Sequence, residues 1–216
     1  PIPEKISYKV VRRFHNKACK TLVATDVLID ELEKRDFNNT ALWSRGVDTD
    51  LFKPGDKSFI DAPRPISLYV GRVAVEKNLP AFLDLDIPGT KYVVGDGPAY
   101  EELSAQYPDV VFTGYKKGEE LAKYVAAADV FVFPSLTDTF GVVLLEAMAC
   151  GVPVAAFPVT GPISVVQNGY NGILDQDLKK ATLEALEIDP ATCRSFAEQH
   201  SWKRCTEQFI KHLAIN

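Results

Sequence analysis

From Ile66 onward the chain alternates short apolar runs with helical patterns. The segments "ISLYVG" (66–71), "KYVVGDG" (91–97), "VVFTGY" (110–115), "DVFVFP" (129–134) and "PVAAFP" (153–158) read as strands, most of them separated by stretches of helix-forming composition. Strands this uniformly apolar are buried on both faces, and strands joined through helices pair in parallel. The expected fold class is therefore α/β, a doubly wound parallel sheet covered on both sides.

The flanks read differently. Ile6, Val10, Phe14 and Ala18 recur at every fourth position, with Lys5, Lys9, Arg12, Arg13, Lys17 and Lys20 on the other faces, which predicts an amphipathic basic helix. "KTLVAT" (20–25) reads as a buried strand, "DVLIDELEKRDF" (26–37) as a helix, and residues 38–65 as a turn-rich connection. "DLKKATLEALEI", "PATCRSFAEQH" and "SWKRCTEQFIKHLAI" make the end helical.

Composition bounds the function. With 216 residues, 46% hydrophobic and 25% charged, the chain is long and apolar enough for one sizeable core. A net charge of -5 gives no reason to expect nucleic acid, and no apolar run approaches the roughly 18 residues of a membrane-spanning helix. Cys19, Cys150, Cys193 and Cys205 show no C-x-x-C spacing and read as reduced thiols in a cytoplasmic protein. The start at Pro1, without an initiator Met or a signal-peptide profile, reads as a piece of a longer protein.

One acid stands apart. In "TDTFGVVLLEAMACGVPVAAFP" (137–158), Glu146 lies inside an apolar helix expected from about Gly141 to Cys150, after a polar loop that follows a strand. An unpaired carboxylate there costs several kcal/mol. A structural ion pair would offset this, and so would a diol such as a ribose, whose adjacent hydroxyls match two carboxylate oxygens. Composition leaves both open. Asp138, eight residues earlier, reads either as a helix-capping or turn residue or as part of the same pocket, beside Thr139, Phe140 and Gly141.

These residues resemble a known signature. Two acids eight apart followed by "EAMACGVPV", together with "LWSRGVDTDLFKP" (42–54), "YVGRVAVEKN" (69–78), "VVGDGP" (93–98) and "VVFTGYKKGEELAKYVAAADVFVFPS" (110–135), resemble the retaining glycosyltransferases of the GT-B fold, in particular glycosyltransferase family 4, also called group 1. The first acid is Asp138 where that family usually has Glu. The resemblance implies that Gly71, Arg72 and Lys77 lie at the donor diphosphate, with Arg72 and Lys77 stabilising the departing charge, and that Glu146 holds the ribose hydroxyls. Asp138 would take hydroxyls of the transferred sugar. The N–H groups around Phe140, Gly141 and Val142, beside Thr139, would contact sugar and phosphate, and Thr113, Gly114 and Tyr115 would fall near the base. The glycines of "GDGP" would let the chain pass the ligand.

The same resemblance implies a Rossmann-like donor domain at 66–200, a remnant of an acceptor domain at 1–41, a linker at 42–65 and a crossing helix at 201–216. The donor is expected to be a nucleotide-diphosphate sugar such as a UDP- or GDP-hexose, with no cofactor and no metal; three D-x-D matches, at Asp48/Asp50, Asp84/Asp86 and Asp175/Asp177, are read as chance. His15, His200 and His212 read as surface or helix-end residues. The acceptor, a glycan or a lipid-linked chain, would meet the other half of the enzyme, and the basic face of the first helix reads either as a peripheral membrane contact or as a solvated face. A sugar-nucleotide sensor without activity and a nucleotide-sugar epimerase are the alternative functions.

Overall fold

The computed structural model describes residues 3–213. The side chains of Glu4 and Lys5, the second an expected basic position, and the Ala214 and Ile215 expected in the last helix lie outside the described residues. The chain divides into two compact units, one made of residues 1–46 and 202–216, the other of 47–201.

In the first unit, α1 (Glu4–His15) carries Ile6, Val10 and Phe14 exposed. It stops before Lys17, Ala18 and Lys20, which were expected to continue it. The Asn39 side-chain amide donates to the carbonyls of His15 (2.9 Å) and Ala18 (2.7 Å), and so supplies partners that another helical turn would have replaced. β1 (Thr21–Val23) leads to α2 (Asp26–Glu33), whose first turn is capped by the Thr25 hydroxyl accepting from the Leu28 N–H. Asp36 then turns left-handed at φ 64°, which ends the helix short of Phe37. β2 (Thr40–Leu42) pairs in parallel with β1, so the segment expected to be only turns contains a strand. Three residues are too few to show a period.

The second unit is the sheet. β3 (Ile66–Val70), β4 (Thr90–Val94), β5 (Val111–Phe112), β6 (Val130–Phe133), β7 (Val154–Ala156) and β8 (Gly172–Leu174) are all parallel, in the order β5-β4-β3-β6-β7-β8. β3, β6 and β7 are buried at every position, as a sequence apolar throughout but for Ser67 in β3 requires. Between and after the strands run α3 (Pro80–Leu83), α4 (Tyr100–Gln106), α5 (Gly118–Ala127), α6 (Val142–Ala149), α7 (Thr160–Ile163), α8 (Leu178–Ala185) and α9 (Pro190–Glu198). Tyr69, Leu79, Phe82, Val93, Val130 and Val132 form the centre of one hydrophobic cluster. This is the Rossmann-like doubly wound arrangement: the strand order reverses between β3 and β6, and a crevice opens there beyond the carboxyl ends of the strands.

The chain returns to the first unit as α10 (Trp202–His212), where the Trp43 indole donates to the Cys205 carbonyl at 3.2 Å and its ring packs on Phe209. His212 Nε2 lies 2.8 Å from the Leu42 carbonyl, at the helix end where it was expected. All four cysteines are free thiols.

Candidate functional site

α6 is apolar on every side, and such a helix has to be buried all round. Leu144, Leu145, Ala147, Met148 and Ala149 are buried, and the helix packs against α5 and α9. Glu146 interrupts it. Its side chain makes no hydrogen bond or ion pair with any described residue, and burial alone pushes its carboxyl up to about 7.

That carboxylate faces two adjoining cavities at the switch point. The first, of about 400 Å³, brings together Gly71 and Arg72 from the end of β3, Lys77, Asp138 from the loop after β6, Gly141 and Val142 at the start of α6, and Glu146. The second, of about 520 Å³, shares Gly71, Arg72 and Glu146 and extends past Asp96 to Tyr115, Lys116 and Lys117. A third cavity, of about 550 Å³, lies between residues 50–59 and α5 and includes none of the expected site residues.

Two backbone features shape the first two cavities. No side chain caps the amino end of α6; its N-cap is Gly141 at φ 81°, so N–H groups of the first turn remain available to a ligand. The glycines of "GDGP" also bring two stretches of backbone together, and Gly95 lines the second cavity. A Cβ on Gly95 would sit 1.8 Å from the Gly71 carbonyl oxygen, and one on Gly97 would sit 2.3 Å from that of Val73. They let two strand-end loops touch, and the contact is fixed by the Val73 N–H donating to the Asp96 carbonyl at 2.9 Å.

The cations are held differently. Arg72 is exposed and pairs with Glu76 at 3.2 Å, a surface contact worth little, so its guanidinium is free to turn to an anion. Lys77 is committed: its ammonium donates to both Asp138 oxygens, at 2.7 and 2.9 Å. The Tyr69 hydroxyl donates to the Arg72 carbonyl at 3.0 Å; its phenol is raised well above the ordinary range, first by burial and then by the nearby Asp138 charge.

Not every expected contact falls on these cavities. Thr113 donates to the carbonyls of Val93 and Gly114, Gly114 accepts from the Gly95 N–H, Thr139 is exposed and Phe140 is buried. Asp96, Lys116 and Lys117 were not singled out from sequence, although they lie within the stretches "VVGDGP" and "VVFTGYKKGEELAKYVAAADVFVFPS" that carry the resemblance. Among the D-x-D acids, Asp48 accepts from the Asp50 and Leu51 N–H groups, Asp84 from the Tyr107 hydroxyl, Asp86 pairs with Lys179, and Asp175 pairs with Lys180.

Comparison with known proteins finds a matching family model and several relatives. Residues 64–187 match the family model described as "Glycosyl transferases group 1". The chain is 36% identical to a GDP-mannose-dependent alpha-mannosyltransferase of Corynebacterium glutamicum, covering 96% of this chain and 55% of the relative. It is 32% identical to a sulfoquinovosyl transferase of Arabidopsis thaliana, covering 94% of this chain and 46% of the relative. The chain thus spans about half the length of the curated relatives it matches. Among solved structures, sucrose-phosphate synthase from Thermosynechococcus elongatus superposes with a TM-score of 0.79 at 28% identity, covering 97% of this chain and 61% of that one. Anabaena HepE in complex with UDP superposes at 0.83 with 20% identity, covering 97% and 68%, a likeness of fold.

Proposed function

The chain belongs to the glycosyl transferases group 1 family, and we propose that it binds the nucleotide-diphosphate sugar donor of a family 4 glycosyltransferase that transfers the sugar with retention of configuration. The observation that carries this reading is Glu146, a carboxylate without a partner among the described residues that shares both cavities with Arg72. A ribose diol would give its oxygens the donors they lack, and a diphosphate reaching from there would meet Arg72 and the free N–H groups of α6. Arg72 offers a planar fork and Lys77 a point charge; both stabilise the negative charge that develops as the diphosphate leaves, and no metal ion is needed for that task. Asp138 takes hydroxyls of the transferred sugar, and Tyr115 and its neighbours line the far cavity where the base would lie.

The donor is a UDP- or GDP-hexose. GDP appears in the name of one relative and UDP in the complex of one structural neighbour. Because the chain spans about half of its relatives, we assign acceptor binding to the other half of a whole enzyme, with residues 1–41 a remnant of that domain, 42–65 a linker and 201–216 a crossing helix. The 216 residues alone then bind donor without turnover. Whether the acceptor is a glycan or a lipid-linked chain, and whether α1 touches a membrane surface, belong to that larger protein; among the described residues no helix is long and apolar enough to cross a membrane.

The test is calorimetric titration of the chain with GDP- and UDP-hexoses. Glu146→Ala removes the charged acceptor of two hydroxyls and should weaken binding about a hundredfold; Arg72→Ala should weaken it in the same direction. Unchanged affinity in either variant would refute the assignment. Donor binding without transfer by the whole protein, the mark of a sensor, or interconversion of the free sugar nucleotide, the mark of an epimerase, would overturn the function.

A further inference from the structure

Lys77 and Asp138 stand on opposite sides of the switch point, 61 residues apart in sequence, yet both carboxylate oxygens lie on the one ammonium. Each side chain is 23% exposed, so the pair is less screened than the surface pair of Arg72 with Glu76. Their backbones are pinned. The Asn78 amide donates to the Pro134 carbonyl at 3.0 Å, tying the loop of Lys77 to the loop of Asp138. Gly161 packs so closely that an added Cβ would lie 2.6 Å from the Asp138 carbonyl oxygen. With those contacts kept, side-chain torsions suffice to open the pair. While it is closed, Lys77 adds little net charge to the cavity, and an entering diphosphate has to compete with a carboxylate for it.

We propose that Asp138 is a swinging carboxylate that makes the site favour the sugar-bearing donor over the bare nucleoside diphosphate product. The inference rests on the donor reading above. When a sugar fills the space beside Gly141 and Val142, its hydroxyls donate to Asp138, which turns from Lys77 and releases the ammonium to the diphosphate. Once the sugar has gone those donors are lost. The diphosphate then carries about one more negative charge, because a terminal phosphate sheds its second proton near pH 6. Asp138 returns to Lys77, withdraws a cation from the product and repels it. One carboxylate thereby strengthens donor binding and weakens product binding.

The experiment compares GDP and UDP with GDP-mannose and UDP-glucose on the unaltered chain, on Asp138→Asn and on Asp138→Ser, with thermal unfolding to confirm that the variants are folded. Loss of the competing carboxylate should tighten the bare diphosphates about tenfold. The sugar nucleotides should bind no tighter than before, and Lys77→Met added to either variant should abolish the gain. On the unaltered chain, saturating free mannose or glucose should tighten GDP or UDP by drawing Asp138 off Lys77, a measurement that needs no variant. Diphosphate affinity that stays level or falls in folded variants, an equal gain for both ligand types, or no response to free hexose would overturn the swing. A chain that binds none of the four nucleotides refutes the donor reading itself; donors that bind with an unshifted ratio refute only the swing.

Discussion

Asp129 and Glu146 are carboxylates set against the same central strands, Asp129 at the amino ends of β3 and β6 and Glu146 over their carboxyl ends. Asp129 accepts from Lys57 (2.8 Å), from Arg64 (2.9 Å) and from the backbone N–H of Ile66, the first residue of β3 (2.7 Å). Burial alone would raise its carboxyl; its hydrogen bonds to Arg64, Lys57 and Ile66 outweigh that and hold it below the usual range. Glu146 has the burial without the partners, and its carboxyl rises to about 7. The amino end is finished as structure, and the carboxyl end is left with unmet hydrogen-bonding capacity. In a doubly wound sheet the second of these is where a ligand belongs.

The sharpest way to break this contrast is to remove the unmet charge while keeping its shape. Glu146→Gln should make the ligand-free chain more stable by about 3 kcal/mol at pH 8, the free energy of moving a carboxyl from 4.5 to about 7. The sign follows from proton counting. Between 4.5 and about 7 the folded chain holds a proton that the unfolded chain has released, so stability falls as pH rises through that window and stays lowered above it. Denaturant melts of the two proteins should therefore diverge at pH 8 and converge below pH 4.5. A variant no more stable than the parent at pH 8 would mean that the carboxylate is already satisfied.

The reverse change belongs at the other end. Asp129→Asn should destabilise the chain at pH 7 by about 2 kcal/mol, because two cations and one backbone donor lose a charged acceptor, with a discount for the partly exposed Lys57 and Arg64. A lowered carboxyl contributes stability that is present above its unfolded value of 3.8 and is lost as pH falls through the folded value below it. The difference between parent and variant should accordingly shrink in acid. Donor affinity should hold, since Asp129 lines neither cavity at the switch point.

Much of this contrast was visible in the sequence. The apolar segments around β3, β6 and β7 announced strands buried on both faces, and Glu146 stood out because apolar residues surround it on a short helix. β2 and β8 were not read as strands; their few apolar residues stand among the polar and turn-forming residues of "NNTALWS" and "NGYNGILDQD", which masks an apolar run. The Lys77–Asp138 pair was hidden for another reason. Its members were named separately as ligand contacts, but that they bind each other depends on the crossover that places the β3 and β6 loops side by side, which spacing along a chain does not encode. Likewise the glycines at 95 and 97 were read as letting the chain pass a ligand, while their close approach to the Gly71–Val73 backbone became evident only with register.

A smaller effect sharpens what the contrast is about. Asp177 follows β8 and thus also lies at a carboxyl end, but at the edge of the sheet, where the strand order does not reverse. Its carboxylate accepts from the Lys179 and Lys180 N–H groups and caps α8, so position at a carboxyl end does not by itself leave an acid unsatisfied. Asp177→Ala should cost about 1 kcal/mol of stability, the usual loss for a helix cap, and leave donor affinity unchanged. The measurement is a denaturant melt paired with one donor titration. A loss of donor binding there would shift the functional end of the sheet away from the β3–β6 reversal. A pure stability loss keeps it at the β3–β6 reversal, where an acid, a guanidinium and an uncapped helix start share a cavity.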